Sequence, residues 1–385
     1  IMKYKPDQIQ THEIKDATLE VGKFSKKVVH VEAGAPAKTD DTGLGYEQGS
    51  IWVDSSNGDM YICTAHTAED ATWQNMEGDD INLFQMQGDT GYVHGGTPNI
   101  TNIYSFPFSA PVSTSDIAEV TTTHDYTSKG SMKDATHAYV AGGGPAYYTD
   151  VIQRWGFSAP QASGDIGELT SDRGYIANTT DKTNGQLYGG ITDPGASTNT
   201  IERFPLSASP SNSSDTSAEL AANIQGAVGI SDLTNSKGWV CGGNTEPGTT
   251  RRDTIYQFAN DVSSGTGTDW GNLQSSKSYC GGATDGTNGF TVGGESPGGG
   301  TNELDKFPFS SPGNAADQGD LTITVLNNSG HASPTEIFSA GGYSPSPGVR
   351  RDVIEKFTYA SPGNSADTAE LAQATSHHYG TENIG

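Results

Sequence analysis

The chain lacks the residue patterns that mark several protein classes. Its three cysteines, Cys63, Cys241 and Cys280, are odd in number and widely spaced. This arrangement provides neither a disulfide framework nor a zinc signature, and it predicts small buried apolar side chains. No window approaches the ~18 consecutive apolar residues of a transmembrane helix, so we expect no membrane insertion.

Positive charge is scarce. The chain has 21 Lys and Arg against 46 Asp and Glu, so its formal net charge is −25. Residues 41–91 contain acids but no Lys or Arg. A surface this acidic repels nucleic acid and anionic lipid. We therefore expect no nucleic-acid partner.

Signatures of common enzyme classes are also missing. The sequence has no HExxH, and it has no GxSxG or P-loop in a βαβ setting, which argues against an enzyme. Acidic glycine-rich loops such as "TDPGAS" and "TDGTNG" have residue types that bind Ca²⁺, but they lack the alternate Asp spacing of an EF-hand loop. Turn chemistry explains Asp, Asn and Gly equally well, so we expect no cofactor and keep calcium as the alternative.

Glycine is abundant, and it recurs with a period. Of 50 glycines, six Gly-Gly pairs follow short apolar runs at spacings of 47, 47, 53, 51 and 48 residues. The pairs are Gly95-Gly96, Gly142-Gly143, Gly189-Gly190, Gly242-Gly243, Gly293-Gly294 and Gly341-Gly342. A period of this length indicates a repeat architecture.

Each repeat contains the pattern of four short strands. After the glycine-rich loop comes a run such as "NTIERFPL" or "RDVIEKFTY", which alternates apolar and polar residues as a half-buried strand does. A Ser/Pro/Gly/Asn turn, a segment such as "GELT", and a last run complete the unit. Four-stranded units that repeat six times and cover one another predict an all-β fold, a six-bladed β-propeller over residues 92–385.

The last run of the chain predicts how this propeller closes. "HHYGTENIG", which begins at His377, His378 and Tyr379, has the position of a first strand, and the first repeat has no such strand before it. We therefore expect the C-terminal strand to complete the sheet of the first repeat and so close the ring. Deletion of Ser376–Gly385 should destabilise the whole propeller.

The repeat resembles the kelch propeller. The phrases "IERFPL", "VIEKFTY" and "ELTSDR" occupy the positions of the kelch pattern over about 290 residues. The phrase "FPFSSPGNAAD…GDLT" is similar to repeat proteins of marine tailed phages. The resemblance implies a virion protein, located on the extracellular particle and made in the host cytoplasm.

Residues 1–91 lack the repeat. "IWVD" and "DMYICT" read as two strands of a hairpin joined by a turn containing Asn57-Gly58. Trp52, Tyr61 and Trp73 have the spacing of a small aromatic cluster, and the phrase resembles small modules of phage tail fibres. A lysine-rich arm precedes it. We expect this region to attach the protein to other virion proteins; a solvated tail is the alternative for the arm.

Four of the seven arginines occur as two "RRD" phrases, at Arg251-Arg252 and Arg350-Arg351. Each phrase stands just before an alternating strand. Paired arginines on an acidic protein are suited to carboxylates of a neighbouring blade or subunit, so they are candidate partner contacts. The alternative is a salt bridge that anchors the loop of the same repeat.

The sequence therefore predicts a non-enzymatic structural virion protein of a tailed phage, as a tail fibre, an appendage or a capsid decoration. Its propeller would contact a host-surface protein or glycan, and several copies would dock through residues 1–91. The alternatives are a glycan-active propeller enzyme and a secreted adhesion protein, although no signal peptide is visible at the start.

Overall fold

A computed structural model describes most of the repeat region and part of the region before it. The described residues are 29–32, 36, 46, 49–55, 60–65, 72–75, 88–109, 114–121, 125–126, 129–144, 148–158, 164–181, 183–193, 195–206, 211–233, 235–245, 250–359 and 363–383. Contacts divide the chain into two compact units, Ile1–Leu83 and Phe84–Gly385. The described secondary structure is all-β, with strands in both units and no helix.

The first unit contains one sheet of four strands. They are β1 (Val29–Glu32), β2 (Ile51–Asp54), β3 (Met60–Ala65) and β4 (Thr72–Asn75), paired in that order. β1 is parallel to β2, whereas the pairs β2–β3 and β3–β4 are antiparallel. The two predicted strands and their antiparallel pairing are confirmed, and the Asn57-Gly58 turn lies outside the described residues.

The second unit contains sheets that repeat one pattern of antiparallel strands, to which the third sheet adds one short parallel strand. The first sheet is β35 (Tyr379–Glu382), β5 (Thr90–His94), β6 (Asn102–Pro107) and β7 (Ser115–Glu119). The next contains β8 (His137–Ala141), β9 (Thr149–Gly156), β10 (Gly164–Gly174), β13 (Ile191–Thr192) and β14 (Ala196–Ser197). The third contains β11 (Ala177–Thr180), β12 (Asn184–Tyr188), β15 (Thr200–Pro205), β16 (Ser214–Glu219) and β23 (Gly265–Thr266).

The remaining sheets follow the same pattern. One contains β18 (Val228–Asp232), β19 (Lys237–Cys241), β22 (Thr254–Ala259) and β24 (Thr268–Asn272), beside a small sheet of β17 (Ile224–Gln225), β20 (Asn244–Thr245) and β21 (Thr250–Arg251). The next contains β25 (Gly281–Thr284), β26 (Asn288–Val292), β27 (Glu295–Ser296), β28 (Gly299–Pro308) and β29 (Ala316–Val325). The last contains β30 (Ser329–Ala332), β31 (Glu336–Ala340), β32 (Tyr343–Ser344), β33 (Val349–Thr358) and β34 (Ala366–Thr375).

The first strands of successive sheets lie side by side. Contacts join β11 to β18, β18 to β25, β25 to β30, and β30 to β35. Residues 129–133 take the place of a first strand beside β8. A backbone hydrogen bond from the Tyr139 N–H to the Met132 carbonyl joins them to that strand. Their neighbour on one side is β11, through a bridge between Lys129 and Ala177. The result is a propeller-like arrangement of sheets around the first strands.

Glycine permits the close approach of these first strands. Their second residue is Gly130, Asn178, Gly229, Gly282, Gly330 or Gly380. A Cβ atom on Gly229 would lie 1.8 Å from the Asn178 carbonyl oxygen, and one on Gly330 would lie 2.5 Å from that of Gly282. Only a residue without a side chain fits where two backbones come this close.

The hydrophobic core lies between neighbouring sheets, so both faces of a sheet are covered. In β33, Ile354, Glu355 and Phe357 are all buried. The expectation of a half-buried alternating strand is therefore wrong, because each inner sheet face packs on another sheet. Burial of one such Phe side chain contributes about 2–3 kcal/mol. Cys63, Cys241 and Cys280 are buried and free, as the sequence predicts.

An acidic side chain recurs between the sheets, at one position of the third strand. Glu202 and Asp305 are completely buried there. Arg173, from the preceding sheet, places Nη2 2.6 Å from Oε1 of Glu202. Lys277 places Nζ 2.6 Å from Oδ2 of Asp305. These buried ion pairs link successive sheets, and loss of one partner would leave an uncompensated charge.

Candidate functional site

One residue per repeat, two or three positions before the first strand, has a left-handed backbone conformation. We call these residues the rim: Tyr126 (φ 59°), Tyr175 (φ 52°), Gly226 (φ 65°), Tyr279 (φ 57°), Asn327 (φ 57°) and His377 (φ 58°). Side chains other than glycine rarely adopt this region, at a cost of roughly 1–2 kcal/mol each. Such strain persists only where the surroundings hold it, and it concentrates at functional sites.

Backbone hydrogen bonds hold the rim residues in sequence. Each bond runs from the N–H of one rim residue to the carbonyl of the rim residue in the repeat before it. The links are Tyr175 to Tyr126 (2.7 Å), Gly226 to Tyr175 (2.9 Å), Tyr279 to Gly226 (2.7 Å), Asn327 to Tyr279 (2.7 Å) and His377 to Asn327 (3.0 Å). The rim is therefore a preformed, continuous strip of backbone that crosses from sheet to sheet.

Aromatic rings cover this strip. The Tyr175 ring lies 5.1 Å from that of Tyr126, 5.0 Å from that of Tyr279 and 6.3 Å from that of His377, between centroids. Tyr148 adds a further ring 6.5 Å from Tyr175. These side chains are half-buried, so the cluster presents part of its aromatic surface to solvent.

The rings of Tyr175, Tyr279 and His377 are uncharged near neutral pH. Burial raises the pKa of Tyr279 to about 12 and raises that of Tyr175 further. Burial, with the charges of Lys129 and Arg350, lowers the pKa of His377 to about 3. The aromatic surface therefore offers neutral rings and hydroxyl groups rather than an ionic site.

The glycine at rim position 226 makes room for a neighbouring ring. A Cβ there would lie 2.4 Å from Cε1 of Tyr279. The Tyr279 hydroxyl accepts a hydrogen bond of 3.1 Å from Nδ2 of Asn244, in β20. Gly226 and Asn244 thus fix the Tyr279 ring from two sides.

Short two-stranded ribbons extend beside the rim, in the loops that follow the Gly-Gly pairs. They are β13–β14, β20–β21, β27 with the start of β28, and β32 with the start of β33. β20 pairs with β17, whose last residue directly precedes Gly226. Isolated bridges likewise join Ser278 to Glu295 and Leu326 to Tyr343. The ribbons and the rim therefore occupy the same edge of the sheets.

The first arginine of each "RRD" phrase lies near the rim. Nη2 of Arg251 lies 2.7 Å from Oε2 of Glu295, which joins the ribbons of two successive repeats. Arg350 is exposed at the start of β33. It pairs with Tyr343, which is bridged to Leu326, the residue before the rim residue Asn327.

The second arginine of each "RRD" phrase contacts residues away from the rim. Arg252 donates from Nη2 to the Tyr256 hydroxyl at 3.3 Å, within its own repeat. Arg351 lines a small pocket with Glu355, Ser339 and Val325, between two sheets. Of the four predicted contact residues, Arg251 and Arg350 therefore lie at the rim, whereas Arg252 and Arg351 do not.

A buried acid lies next to the rim. Asp125 directly precedes Tyr126, and only 4% of its surface is exposed. Its backbone carbonyl accepts a 2.8 Å hydrogen bond from Gly144, while its Oδ1 atom has no hydrogen-bond partner. Burial raises the pKa of this carboxyl, and a side-chain hydrogen bond from Thr97 and the charge of Arg350 partly oppose that effect.

Beneath the rim, a small pocket lies among the first strands. It has a volume of about 10 Å³, and Lys129, Cys280, Asn328 and His378 are among its lining residues. Nζ of Lys129 donates to the carbonyls of His378 at 3.2 Å and Asn328 at 3.4 Å. Burial lowers the pKa of Lys129 to about 7. A pocket of this size has room for about one water molecule.

Of the three residues predicted to close the ring, Tyr379 begins β35 and His377 and His378 directly precede it. His377 belongs to the rim, and His378 places Nε2 3.0 Å from the carbonyl oxygen of Ala340. The Tyr379 hydroxyl donates to the Met132 carbonyl at 3.1 Å and accepts from the Met132 N–H. β35 pairs with β5 in register from Tyr379–His94 to Glu382–Gly91.

The predicted aromatic cluster of the N-terminal module is only partly described. Trp52 and Tyr61 are direct partners across β2 and β3. The backbone of Trp73 pairs with Cys63, and its side chain lies outside the described residues. The ring of Trp52 lies 4.3 Å from that of His30 and 5.8 Å from that of Tyr46, two residues that the sequence did not single out.

The loop proposed for calcium in the sequence contains an ordinary turn. In "TDGTNG", Oδ1 of Asp285 accepts backbone hydrogen bonds from Thr287 at 2.9 Å and Asn288 at 2.6 Å. Among the described residues, no group of three or more His, Cys, Asp or Glu side chains is arranged to hold a metal ion. The same residues include no helix long and apolar enough to span a membrane.

Sequence reasoning did not find the rim, Asp125 or Lys129. A signal was present in the repeat: the phrases "RGYIAN", "KSYCGG" and "SHHYGT" each place an aromatic or imidazole ring two residues before the start of the first strand. Read one repeat at a time, these rings resemble ordinary core residues. Their convergence at one edge follows from the side-by-side packing of the first strands of successive sheets.

Comparison with known proteins supports the fold. No family model matches the chain, and no curated protein matches it. A solved structure titled "Structure of YjhT" matches with a TM-score of 0.56 and 12% sequence identity, over 67% of this chain and 87% of that one. At this level of identity the likeness concerns the fold alone, and it is consistent with a propeller-like arrangement.

Proposed function

We propose that the repeat region is a closed six-bladed, kelch-like β-propeller, which acts as a rigid binding platform. Closure is supported by the packing of the last sheet against the first. The rings of Phe338 and Phe108 stack with centroids 4.7 Å apart, in a core shared with Val93 and Leu371. The pairing of β35 with β5 adds the chain terminus to the first blade.

The rim is the feature that supports a binding function. Five left-handed side chains held by consecutive backbone hydrogen bonds form a surface whose shape does not depend on a ligand. A preformed surface loses little conformational freedom on binding, which favours affinity. Half-exposed tyrosines together with arginine are typical of contact surfaces. The ribbons beside the rim differ in sequence between repeats, so they are suited to specificity.

We further propose that the chain is a structural protein of a tailed-phage particle, in a fibre, an appendage or a decoration. The support is the resemblance of its repeat wording to proteins of marine tailed phages and the acidic composition of the chain. Residues 1–91 would dock several copies on other virion proteins, and the rim would contact a protein or glycan of the host surface. The protein would act as a binder, without turnover.

Purified particles test this assignment. The full chain, tagged and expressed during infection, should co-purify with particles through a density gradient, and lysines within residues 1–40 should cross-link to other virion proteins. Recovery of the protein only as a free species would refute the assignment, and turnover of host polysaccharide would favour an enzyme. Tyr175→Ala should weaken attachment to host cells, while Asp172→Ala, at an exposed position of β10, should not.

A further inference from the structure

Lys129 is a buried cation without an acidic partner. The other cations that the described chain buries to the same degree are Lys133, Arg173 and Lys277. Each of these three has a carboxylate oxygen at 2.5 or 2.6 Å. Lys129 is only 3% exposed, yet no Asp or Glu of the described ranges forms an ion pair with it. Buried charges in proteins are normally paired, so the counter-charge of Lys129 has to come from outside the chain.

The surroundings of Lys129 favour an ammonium over a neutral amine. Its Nζ donates to the carbonyl oxygens of His378 at 3.2 Å and Asn328 at 3.4 Å, and such acceptors stabilise the charged form. Both bonds are long, and they use two of the three N–H groups of the ammonium. The Cys280 thiol lines the same pocket, but burial raises its pKa to about 11, so it carries no negative charge near neutral pH. The third N–H can therefore donate to a bound anion.

Three backbone N–H groups face the same pocket. They belong to Gly282, Gly330 and Gly380, the second residues of β25, β30 and β35, which line the pocket together with Lys129. We call these three residues the pocket glycines. In an antiparallel ladder, hydrogen-bonded pairs alternate with pairs that have no hydrogen bonds. The bonded pairs that fix this alternation are Asp285–Asn288, Ser333–Glu336 and Asn383–Thr90. Each pocket glycine falls in a pair without hydrogen bonds, so its N–H points away from its own sheet.

The same position in two other first strands shows where such an N–H group goes when the chain supplies an acceptor. The N–H groups of Asn178 and Gly229 both donate to the Lys129 carbonyl oxygen, at 2.9 and 3.0 Å. Across the first strands that the structure describes, the pocket glycines have no backbone acceptor of this kind. Buried N–H groups are nearly always satisfied by protein or by a small bound species.

The size and charge of the pocket select the class of ligand. Its volume of about 10 Å³ admits one particle of about the size of a water molecule, which excludes phosphate and sulfate. The ammonium repels a cation, and water would satisfy the N–H groups without balancing the charge. An ammonium together with backbone N–H groups is suited to an anion. The net charge of −25 opposes anions at long range, but salt screens it beyond about 10 Å, whereas the ammonium is an immediate neighbour.

We propose that this pocket binds one monatomic anion of the chloride type, between the ammonium of Lys129 and the N–H groups of the pocket glycines. The anion joins residues 129–133 to the first strands of three successive sheets. The rim residues Tyr279, Asn327 and His377 each lie three positions before a pocket glycine, so the same anion holds the strands that carry half of the rim. The site is separate from the proposed contact surface, and it does not depend on what that surface binds.

Bromide locates the site directly, because it has the charge of chloride and nearly its size and scatters X-rays anomalously. Crystals of the full chain grown in bromide should show an anomalous peak at hydrogen-bond distance from Nζ of Lys129. Peaks at the protein surface alone would indicate an adventitious ion only and would overturn the inference. Water density in the pocket without an anomalous signal would do the same.

Urea unfolding measures binding in solution. At pH 6 the lysine is protonated, since its pKa is about 7. Potassium chloride is compared at constant ionic strength with potassium gluconate, whose anion is too large for the pocket. The free energy of unfolding of the native chain should rise with chloride, by about 1.4 kcal/mol for each tenfold increase above the Kd.

Lys129→Met should remove this response, so chloride should narrow the difference in stability between the native chain and the variant. Lys306→Met is the matched control and should keep the full response, because Lys306 is half-buried and lies over the Phe290 ring. A native chain that is equally stable in both salts, or an equal response of Lys129→Met and the native chain, would overturn the inference. If Lys129→Met does not fold, the bromide peak and the salt response of the native chain still decide it.

Discussion

The ammonium nitrogen of Lys133 lies 2.5 Å from Oε1 of Glu382, and both side chains are almost fully buried. The two residues are 249 positions apart in the sequence. Glu382 belongs to the last strand, which is also joined to Met132 by the Tyr379 hydroxyl. The C-terminal strand is therefore bonded on one side to β5 and packed on another against residues 129–133.

Deletion of Ser376–Gly385 should destabilise the whole second unit. It removes β35, the buried ion pair and the His378 contacts, and it exposes the edge of β5. We expect a lower melting temperature and a lower urea midpoint in a single transition. Deletion of Ile384 and Gly385 alone is the matched control, since it leaves β35 in place. An unchanged melting temperature after the longer deletion would contradict ring closure.

Substitutions of Lys133 and Glu382 should have strongly non-additive effects on the free energy of unfolding. Lys133→Met or Glu382→Leu alone leaves one buried charge without its partner, which typically costs about 3–5 kcal/mol. The double variant Lys133→Met/Glu382→Leu buries two apolar groups instead, so much of that loss should be recovered. Urea unfolding of the four proteins gives the coupling energy. Additive losses would show that the two side chains do not depend on each other.

The stability contribution of Lys129 should depend on pH. The unfolded chain keeps the lysine proton up to pH 10.5, whereas the folded chain releases it near pH 7, so this contribution rises with pH between those values. Lys129→Met removes the cost of burying the ammonium. We expect the variant to be more stable than the native chain at pH 6, by roughly 4 kcal/mol at most, and the gap to close towards pH 10.

Denaturant unfolding at several pH values measures this gap. Lys306→Met is the control, because Lys306 is only half-buried and lies over the Phe290 ring. Its difference from the native chain should stay constant across the same pH range. A constant difference for Lys129→Met as well would show that Lys129 is ionised in the fold up to pH 10.

The sequence predicted the repeated parts of the fold better than the site, for a physical reason. A strand such as Ile354–Thr358 and its Gly-Gly neighbour are encoded locally, by alternation and by turn residues. Contacts between repeats are not: Arg251 meets Glu295 from another repeat, and Lys133 pairs with Glu382, 249 positions away. Alternation places Glu355 on the same face as Phe357, and the neighbouring sheet covers Glu355 and supplies the Thr322 hydroxyl to its carboxylate.

Acid should destabilise the fold through its buried histidines. Burial lowers the pKa of His331 to about 4, and that of His378 lies well below its ordinary value. The unfolded chain takes up these protons near pH 6.5, so stability is lost as the pH falls below that value. We expect His331→Gln to flatten the slope of unfolding free energy between pH 4 and pH 6.5 by about 1.4 kcal/mol per pH unit.

The matched control for this slope is His137→Gln. The His137 side chain is 33% exposed at the start of β8, whereas His331 donates from Nδ1 to the Thr381 carbonyl at 3.0 Å inside the ring. The control should leave the slope close to that of the native chain. Equal slopes for the native chain and His331→Gln would mean that His331 takes up its proton without unfolding.

Glycine in the first strands should be required because a neighbouring backbone leaves no room for a side chain, and not because the strand needs a positive φ. A Cβ on Gly229 would lie 1.8 Å from the Asn178 carbonyl oxygen, and neither atom can move without displacing a strand. Gly229→Ala should therefore cost about 3 kcal/mol or more. Gly313→Ala is the matched control, since a Cβ there meets nothing within 4 Å and should change stability by less than about 1 kcal/mol. Urea unfolding separates the two, and equal stability of both variants would show that the first strands can separate enough to admit a methyl group.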